Sequence, residues 1–224
     1  MVSLILASQS PRRRQLIGLL GYPFVVTAVP VNESSITHSN PLLNTQETAR
    51  LKAHAVVDVL DTVAKAERRI VVAADTTVVI DGRLLGKPTS AAEATTMLQL
   101  LRGRSHQVHT GLTVIDLTDG HEIAAVQTST VTMREYTDAE IAAYVASSDP
   151  MDKAGAYAIQ HPTFQPVAQL EGCFTGVMGL SLCHLITILQ QLGLPVRARA
   201  TAVTAAHQHY PCPLLNDITP WLHP

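Results

Sequence analysis

Charge is scarce in this sequence, and neither sign dominates. Asp, Glu, Lys and Arg make up 15% of the 224 residues, and the formal net charge is −2 with histidines neutral. A broad basic field able to retain DNA or RNA is thereby excluded, and any phosphate site has to be assembled locally. Cysteine is nearly absent too: Cys173, Cys183 and Cys212 form no C-x-x-C pair and leave one thiol over if two were bridged. That usage suits a reducing, cytoplasmic setting. Long apolar runs are missing as well. The stretch from Leu16 to Val31 is interrupted by Gly18, Gly21, Pro23 and Pro30, short of the roughly 20 unbroken residues a membrane span needs. Val2 to Ala7 precede the first arginines, the reverse of the basic-then-apolar order of a secretory leader. A soluble protein without membrane association is expected.

What the chain does have is apolar content, 46%, enough to bury one compact core or two small lobes sharing a cleft. Short β-type runs at Ser3–Ala7 and Phe24–Ala28 flank a helical stretch from about Pro11 to Leu20, an α/β opening. Thr45–Ala66 reads as a long helix. Arg69–Ala74 reads as a buried strand that enters Asp75, resumes at Thr77–Ile80 and turns at Asp81-Gly82. Capping boxes at Ser90–Glu93 and Thr137–Glu140 announce two further helices, with a hairpin of Val108–Leu117 and Glu122–Met133 between them. A last helix runs from about Leu180 to Leu192 and stops at Gly193. Ala, Thr, His and Pro then dominate from Arg197 onward without periodicity. The expected organisation is a domain over 1–193 and a tail or peripheral extension over 194–224.

Three stretches carry chemistry. In Ala7-Ser8-Gln9-Ser10-Pro11-Arg12-Arg13-Arg14 a strand gives way to a helix, with serine as N-cap and proline at the first helical position. Free N–H groups, the helix dipole and the guanidinium groups of Arg12 and Arg13 make a triphosphate cradle. The same residues read equally well as an ordinary capped helix with solvated arginines. Ser8 and Ser10 lack the G-x-S-x-G setting of a nucleophile. In Ala73-Ala74-Asp75-Thr76-Thr77 an acid emerges from an apolar strand. An unpartnered buried carboxylate is costly, so Asp75 is expected at a polar cleft, a kink or a bulge. Glu33, in a loop, offers a second carboxylate to the same divalent cation, although a solvated loop glutamate has the same sequence signature. Gly82 to Lys87 is one residue short of a Walker loop and is followed by Pro88, yet Lys87 remains within the vocabulary of phosphate binding. In Asp152 to Gln160 small residues allow close backbone approach, and Gln160 brings paired donor and acceptor groups suited to a base edge.

Histidines contribute no ligand set on this reading. His106 and His109 lie three apart on a strand and so face opposite ways. His207-x-His209 with Cys212 has near-ligand spacing but lacks a further ligand pair, so a surface cluster is preferred to zinc.

In their order, Leu6–Arg13, Glu33, Lys52-Ala53, Ala74–Val78 and Gly86-Lys87-Pro88 resemble the Maf family of nucleotide pyrophosphatases, whose pattern runs L-A-S-x-S-P-R-R, a loop glutamate, K-A, A-D-T-x-V and G-K-P. His106–Gly111, Asp152–Gln160 and Gly179-Leu180 are similar to its later blocks. The resemblance spans about residues 3–193. It implies an α/β fold with a twisted mixed sheet and flanking helices, two lobes around a cleft as in inosine triphosphate pyrophosphatases, and a homodimer. It also implies hydrolysis of a nucleoside triphosphate to monophosphate and pyrophosphate with magnesium or manganese. Asp75 would be the proton acceptor, Glu33 its partner in holding metal or water, and Arg13, Lys52 and Lys87 the groups that neutralise phosphate. Arg12, Thr76 and Gln160 match the branch that takes dTTP and UTP, whereas the 7-methyl-GTP branch has tryptophan in place of Arg12. A non-catalytic nucleotide-binding role in septum formation is the alternative of a different class. Asn32 and Ser181 depart from the pattern, standing where an acid and a proline are usual.

Overall fold

The structure is a computed structural model, and it describes residues 2–60, 67–208 and 210–223. Its centre is a seven-stranded mixed sheet. Strands β1 (Val2–Leu6), β2 (Phe24–Val26), β3 (Arg68–Ile80), β5 (Ser105–Asp116), β6 (Glu122–Met133) and β7 (Val167–Glu171) lie in the order β2-β1-β3-β5-β6-β7, and β4 (Arg83–Leu85) also pairs with β3. β1 runs parallel to both β2 and β3, and the remaining pairings are antiparallel. The opening helix α1 (Pro11–Gly18) therefore connects parallel neighbours, as a β-α-β crossover requires.

The position of the site follows from how β3 is shared. β1 pairs with β3 only along Arg68–Val72, and β4 only along Val78–Ile80. Between them this edge of β3 has no paired strand among the described residues, and the carboxyl end of β1 opens into the gap. Ligands of open α/β sheets bind outside the carboxyl ends of parallel strands. β3 itself is continuous: its register with β5 runs unbroken from Ile70 to Val79. The expected break at Asp75 is thus a cleft-facing position within a regular strand, without a kink or bulge.

Alternation along β3 separates its surroundings. Val71 and Ala73 pack beneath α2 (Pro41–Val59) with Ala53 and Val56. On the other face Ile70, Val72 and Ala74 belong to a cluster with Leu16 and Ile17 of α1 and Leu182, Leu185, Ile186 and Leu189 of the C-terminal helix. Further along that face Val78 and Ile80 join a second cluster under the helices of 91–101 and 138–146. Thr76, on the same face between Ala74 and Val78, belongs to neither cluster, and its hydroxyl is bonded to Arg13 and Thr110. Burial of each large aliphatic chain here contributes about 1.5–3 kcal/mol, which fixes the strand ends that frame the cleft.

The caps explain the helix starts. Asn40 caps α2 by accepting from Leu42 N, with Pro41 at the first position, so the helix begins four residues before the expected Thr45. It ends at Val59. Residues 61–66, the last part of the expected helix, lie outside the described residues. α3 (Ala91–Leu101) is capped by Ser90, but Glu93 turns to the amide and hydroxyl of Thr89, so the reciprocal box is incomplete. The box at Thr137 and Glu140 is complete and opens α4 (Asp138–Ala146). The last expected helix, Leu180–Leu192, is α6 (Leu182–Gln191), and a short helix that the sequence pattern does not mark, α5 (Phe174–Met178), precedes it; between them Gly179 has a φ of 122°, which favours glycine.

Residues beyond Gly193 form two short helices, α7 (Ala200–Ala206) and α8 (Pro213–Ile218). Leu194, Ala198, Val203, Cys212 and Ile218 are buried in the same cluster as β1 and α6. Helices this short carry too few turns for periodicity to show in sequence and owe their stability to packing. His207 is buried, which corrects its reading as part of a surface cluster; His209 lies outside the described residues.

His106 and His109 are both buried, bonded respectively to the Tyr157 hydroxyl at 2.7 Å and the Thr128 hydroxyl at 2.9 Å. Burial pulls the His106 pKa down to about 4. The folded state therefore resists a proton that the unfolded chain accepts near 6.5. Stability from this group is intact above pH 6.5 and is lost as pH falls toward 4, by about 3 kcal/mol. Urea unfolding at pH 7 and at pH 4.5 should show this drop in the parent chain and a drop smaller by about 2 kcal/mol in His106→Gln. Equal drops would assign the acid sensitivity elsewhere.

Candidate active site

The gap beside β3 opens into a cleft of about 790 Å³ lined by Ser8, Ser10, Arg12, Arg13, Glu33, Lys52, Asp75, Thr76, Lys87 and Gln160. Every candidate residue read from the sequence thus reaches one cavity, of a size usual for small-molecule ligands. β1 and α1 bring the serines and arginines, and a 3-10 turn after β2 brings Glu33. α2 brings Lys52, β3 brings Asp75 and Thr76, the segment after β4 brings Lys87, and the loop before β7 brings Gln160.

On the α2 side of β3, Lys52 Nζ donates to Asp75 Oδ1 at 2.7 Å and lies 2.9 Å from Glu33 Oε1. One ammonium therefore joins carboxylates from a strand and a distant turn. Thr45 Oγ1 donates to Thr77 Oγ1 at 2.9 Å, and Thr77 Oγ1 in turn lies 3.5 Å from Asp75 Oδ2. α2 comes this close because Gly111, opposite Asp75 on β5, has no side chain: a Cβ there would stand 2.6 Å from the Thr45 carbonyl oxygen.

On the other side of β3, Ser10 caps α1 by accepting from Arg13 N, and Ser8 Oγ accepts from Ser10 N at 3.2 Å. The Arg13 guanidinium is held from three directions: Nε donates to the Gly179 carbonyl at 2.8 Å, Nη1 to Ser8 Oγ at 3.2 Å and Nη2 to Thr76 Oγ1 at 3.3 Å. Burial pulls its pKa below the ordinary arginine range, Asp75 opposes this and Arg12 adds to it. The group stays cationic, but among the described residues it has hydroxyl and carbonyl partners and no bonded carboxylate, so its charge is available to an anion.

Arg12 is 3.1 Å from Asp152, which also accepts from Lys153 Nζ at 2.6 Å. Lys153 is buried and bonded to Asp149 as well. Burial raises the Asp152 pKa, but hydrogen bonding and charge from Lys153 and Arg12 outweigh it and leave the carboxyl below its usual range. Neither Asp152 nor Lys153 shows a role from sequence alone, because the pairing of Arg12 with Asp152 crosses 140 residues and leaves no local signal. Among the described residues Gln160 Oε1 is buried without a hydrogen-bond partner, an arrangement that costs about 1–3 kcal/mol until something donates to it.

The pattern of the family described as "Maf-like protein" matches residues 3–192. This chain belongs to the Maf family. Among its relatives, a Thermomicrobium roseum protein named dTTP/UTP pyrophosphatase is 46% identical over 197 residues, 87% of this chain and 86% of its own length. A Moorella thermoacetica protein of the same name is 41% identical over 89% of this chain and all of its own length. One from Methanosarcina barkeri, again so named, is 40% identical over 88% of this chain and 97% of its own. Within this Maf domain fall all the cleft residues above, whereas α7 and α8 lie beyond the matched segment. Among the described residues no helix is long and apolar enough to cross a membrane.

Proposed function

We propose that this Maf protein hydrolyses nucleoside triphosphates, with dTTP and UTP as preferred substrates, to the monophosphate and pyrophosphate. The observation that carries the reading is the two-sided end of β3: a lysine-bridged carboxylate pair on one side, a three-point-anchored arginine at a helix N-terminus on the other. Positioned base and phosphate cation thus flank one point, which attack of water on a phosphorus requires. The names of relatives that align over most of this chain support the same reaction.

The donor set suits a divalent cation. Two carboxylates converge on one point now held by the Lys52 ammonium, open to the cleft and with oxygen donors only. Magnesium or manganese binds such pairs while keeping water and substrate phosphate oxygens. Asp75 and Glu33 would hold it, and once bound it supplies charge stabilisation to the phosphate oxygens. Asp75 takes the proton of the attacking water as the new oxygen–phosphorus bond forms at the α-phosphate and pyrophosphate departs. Lys52, freed from the carboxylates by the entering phosphate, pairs with its oxygens. Arg13, at the positive end of α1, holds the α-phosphate, and Lys87 the outer ones. Arg12, Thr76 and Gln160 line the part of the cleft assigned to the base, and the Gln160 amide, once turned toward the cleft, offers an acceptor to an N–H of uracil or thymine.

The nucleotide panel tests this directly. With magnesium or manganese, dTTP and UTP should outpace purine and 7-methylguanine triphosphates in pyrophosphate release. Arg12→Trp should reduce that preference by about tenfold, the scale of one remodelled contact, without altering metal dependence. Selectivity that survives the exchange removes Arg12 from base recognition.

A further inference from the structure

Away from the cleft, four buried side chains converge. Cys173 stands at the start of α5, Cys183 within α6, His207 at the end of α7 and Cys212 at the start of α8. Their ligand atoms all lie within 4.8 Å of one another. His207 Nε2 is 3.4 Å from Cys183 Sγ and 3.6 Å from Cys173 Sγ, and Cys183 Sγ is 3.9 Å from Cys212 Sγ. We infer that this cluster is a structural zinc site of three thiolates and one imidazole, clamping the C-terminal extension onto the Maf domain.

The distances fit the chemistry. Zinc bonds of about 2.3 Å to sulfur and 2.0–2.1 Å to nitrogen give a tetrahedron whose edges are roughly 3.5–3.8 Å, close to the 3.4, 3.6 and 3.9 Å of three of the pairs and within reach of the rest by small side-chain shifts. A disulfide is a poorer description, because its sulfurs stand about 2.05 Å apart and all three cysteines are free thiols. Buried cysteines often act only as small apolar side chains, but that does not account for the imidazole. His207 Nδ1 lies 2.8 Å from the Val203 carbonyl, which fixes the proton on Nδ1 and leaves the Nε2 lone pair facing the thiols. Orientation by a carbonyl is the usual outer-shell device of metal-binding histidines. Thr175 and Ser181 hydroxyls lie 3.2 and 3.5 Å from Cys173 Sγ, placed to hydrogen-bond a thiolate. Ser181, the departure from the family's proline, thereby gains a reason. A surface pocket beside His207 and Cys212 gives the ion a path inward.

Two ligands lie inside the matched segment 3–192 and two beyond it. The ion would therefore tie α7 and α8, which are too short to hold themselves, to α5 and α6. It would occupy a closed four-ligand site with no open position, hence a structural one. It is separate from the cleft, although α5 carries Gly179, the carbonyl that anchors Arg13, at its far end.

The full chain, purified under reducing conditions from zinc-containing medium, should retain about one zinc per molecule through gel filtration. Cys183→Ser and His207→Ala should retain less than about a tenth as much, while Asp75→Asn keeps its zinc. Cobalt exchanged into the parent chain should give thiolate charge-transfer absorption and tetrahedral visible bands, a readout independent of whether the variants fold. A parent chain that carries no zinc and gives no such spectrum overturns the proposal. So does a Cys183–Cys212 disulfide in the purified protein, or zinc that is lost with Asp75 rather than with Cys183.

Discussion

Asp75→Asn should fold and bind dTTP yet release pyrophosphate about 10²–10⁴ times more slowly, the span of a lost general base. The exchange is nearly isosteric. It retains an oxygen that accepts from Lys52 and leaves the β3 register and the apolar clusters untouched. What disappears is the proton acceptor and one of the two negative charges that converge on Lys52. Single-turnover rates with dTTP at saturating metal separate the two losses. A deficit that persists at high manganese reports the base, whereas one that closes reports metal affinity. A variant within threefold of the parent rate at every metal concentration would remove Asp75 from the chemistry.

Arg13→Ala should cost about 10²–10³ in kcat/KM for dTTP, the usual loss for a preorganised charge-stabilising donor, and Arg13→Lys should recover less than about tenfold of it. The reason is geometric. Arg13 reaches Gly179, Ser8 and Thr76 with three different nitrogens, and that plane fixes where its charge sits. A lysine ammonium at the same position keeps the charge and loses the fork. Steady-state kinetics on the two variants, with melting curves to confirm folding, distinguish the effects. Full rescue by lysine would mean that charge alone matters and that the three anchors are structural.

The cleft was largely legible before the structure because its parts violate local rules. Asp75 interrupts an apolar strand, and Ser10-Pro11 marks a helix start with arginines in its first turn. Lys52 shows no such violation: within α2 it reads as one more charged helix residue, and only the family pattern singled it out. Its bridge to Glu33 and Asp75 joins three segments distant in sequence. The same limitation hid Asp152 and Lys153, whose partners are set by tertiary approach. The thiol–imidazole cluster was misread for a further reason. His207 and Cys212 have no near neighbours in sequence that complete a ligand set; their partners, Cys173 and Cys183, come from across two helices. Mistakes over the fold were local. α2 starts at a proline that the apolar pattern does not mark, and α5, α7 and α8 are shorter than periodicity can reveal.

The most direct measurement is product analysis of dTTP and UTP incubated with the purified chain and magnesium or manganese. The expected products are the nucleoside monophosphate and pyrophosphate in equal amounts, with neither diphosphate nor orthophosphate formed. Tight nucleotide binding without turnover, or release of orthophosphate and a diphosphate, would contradict hydrolysis at the α-phosphate in this cleft.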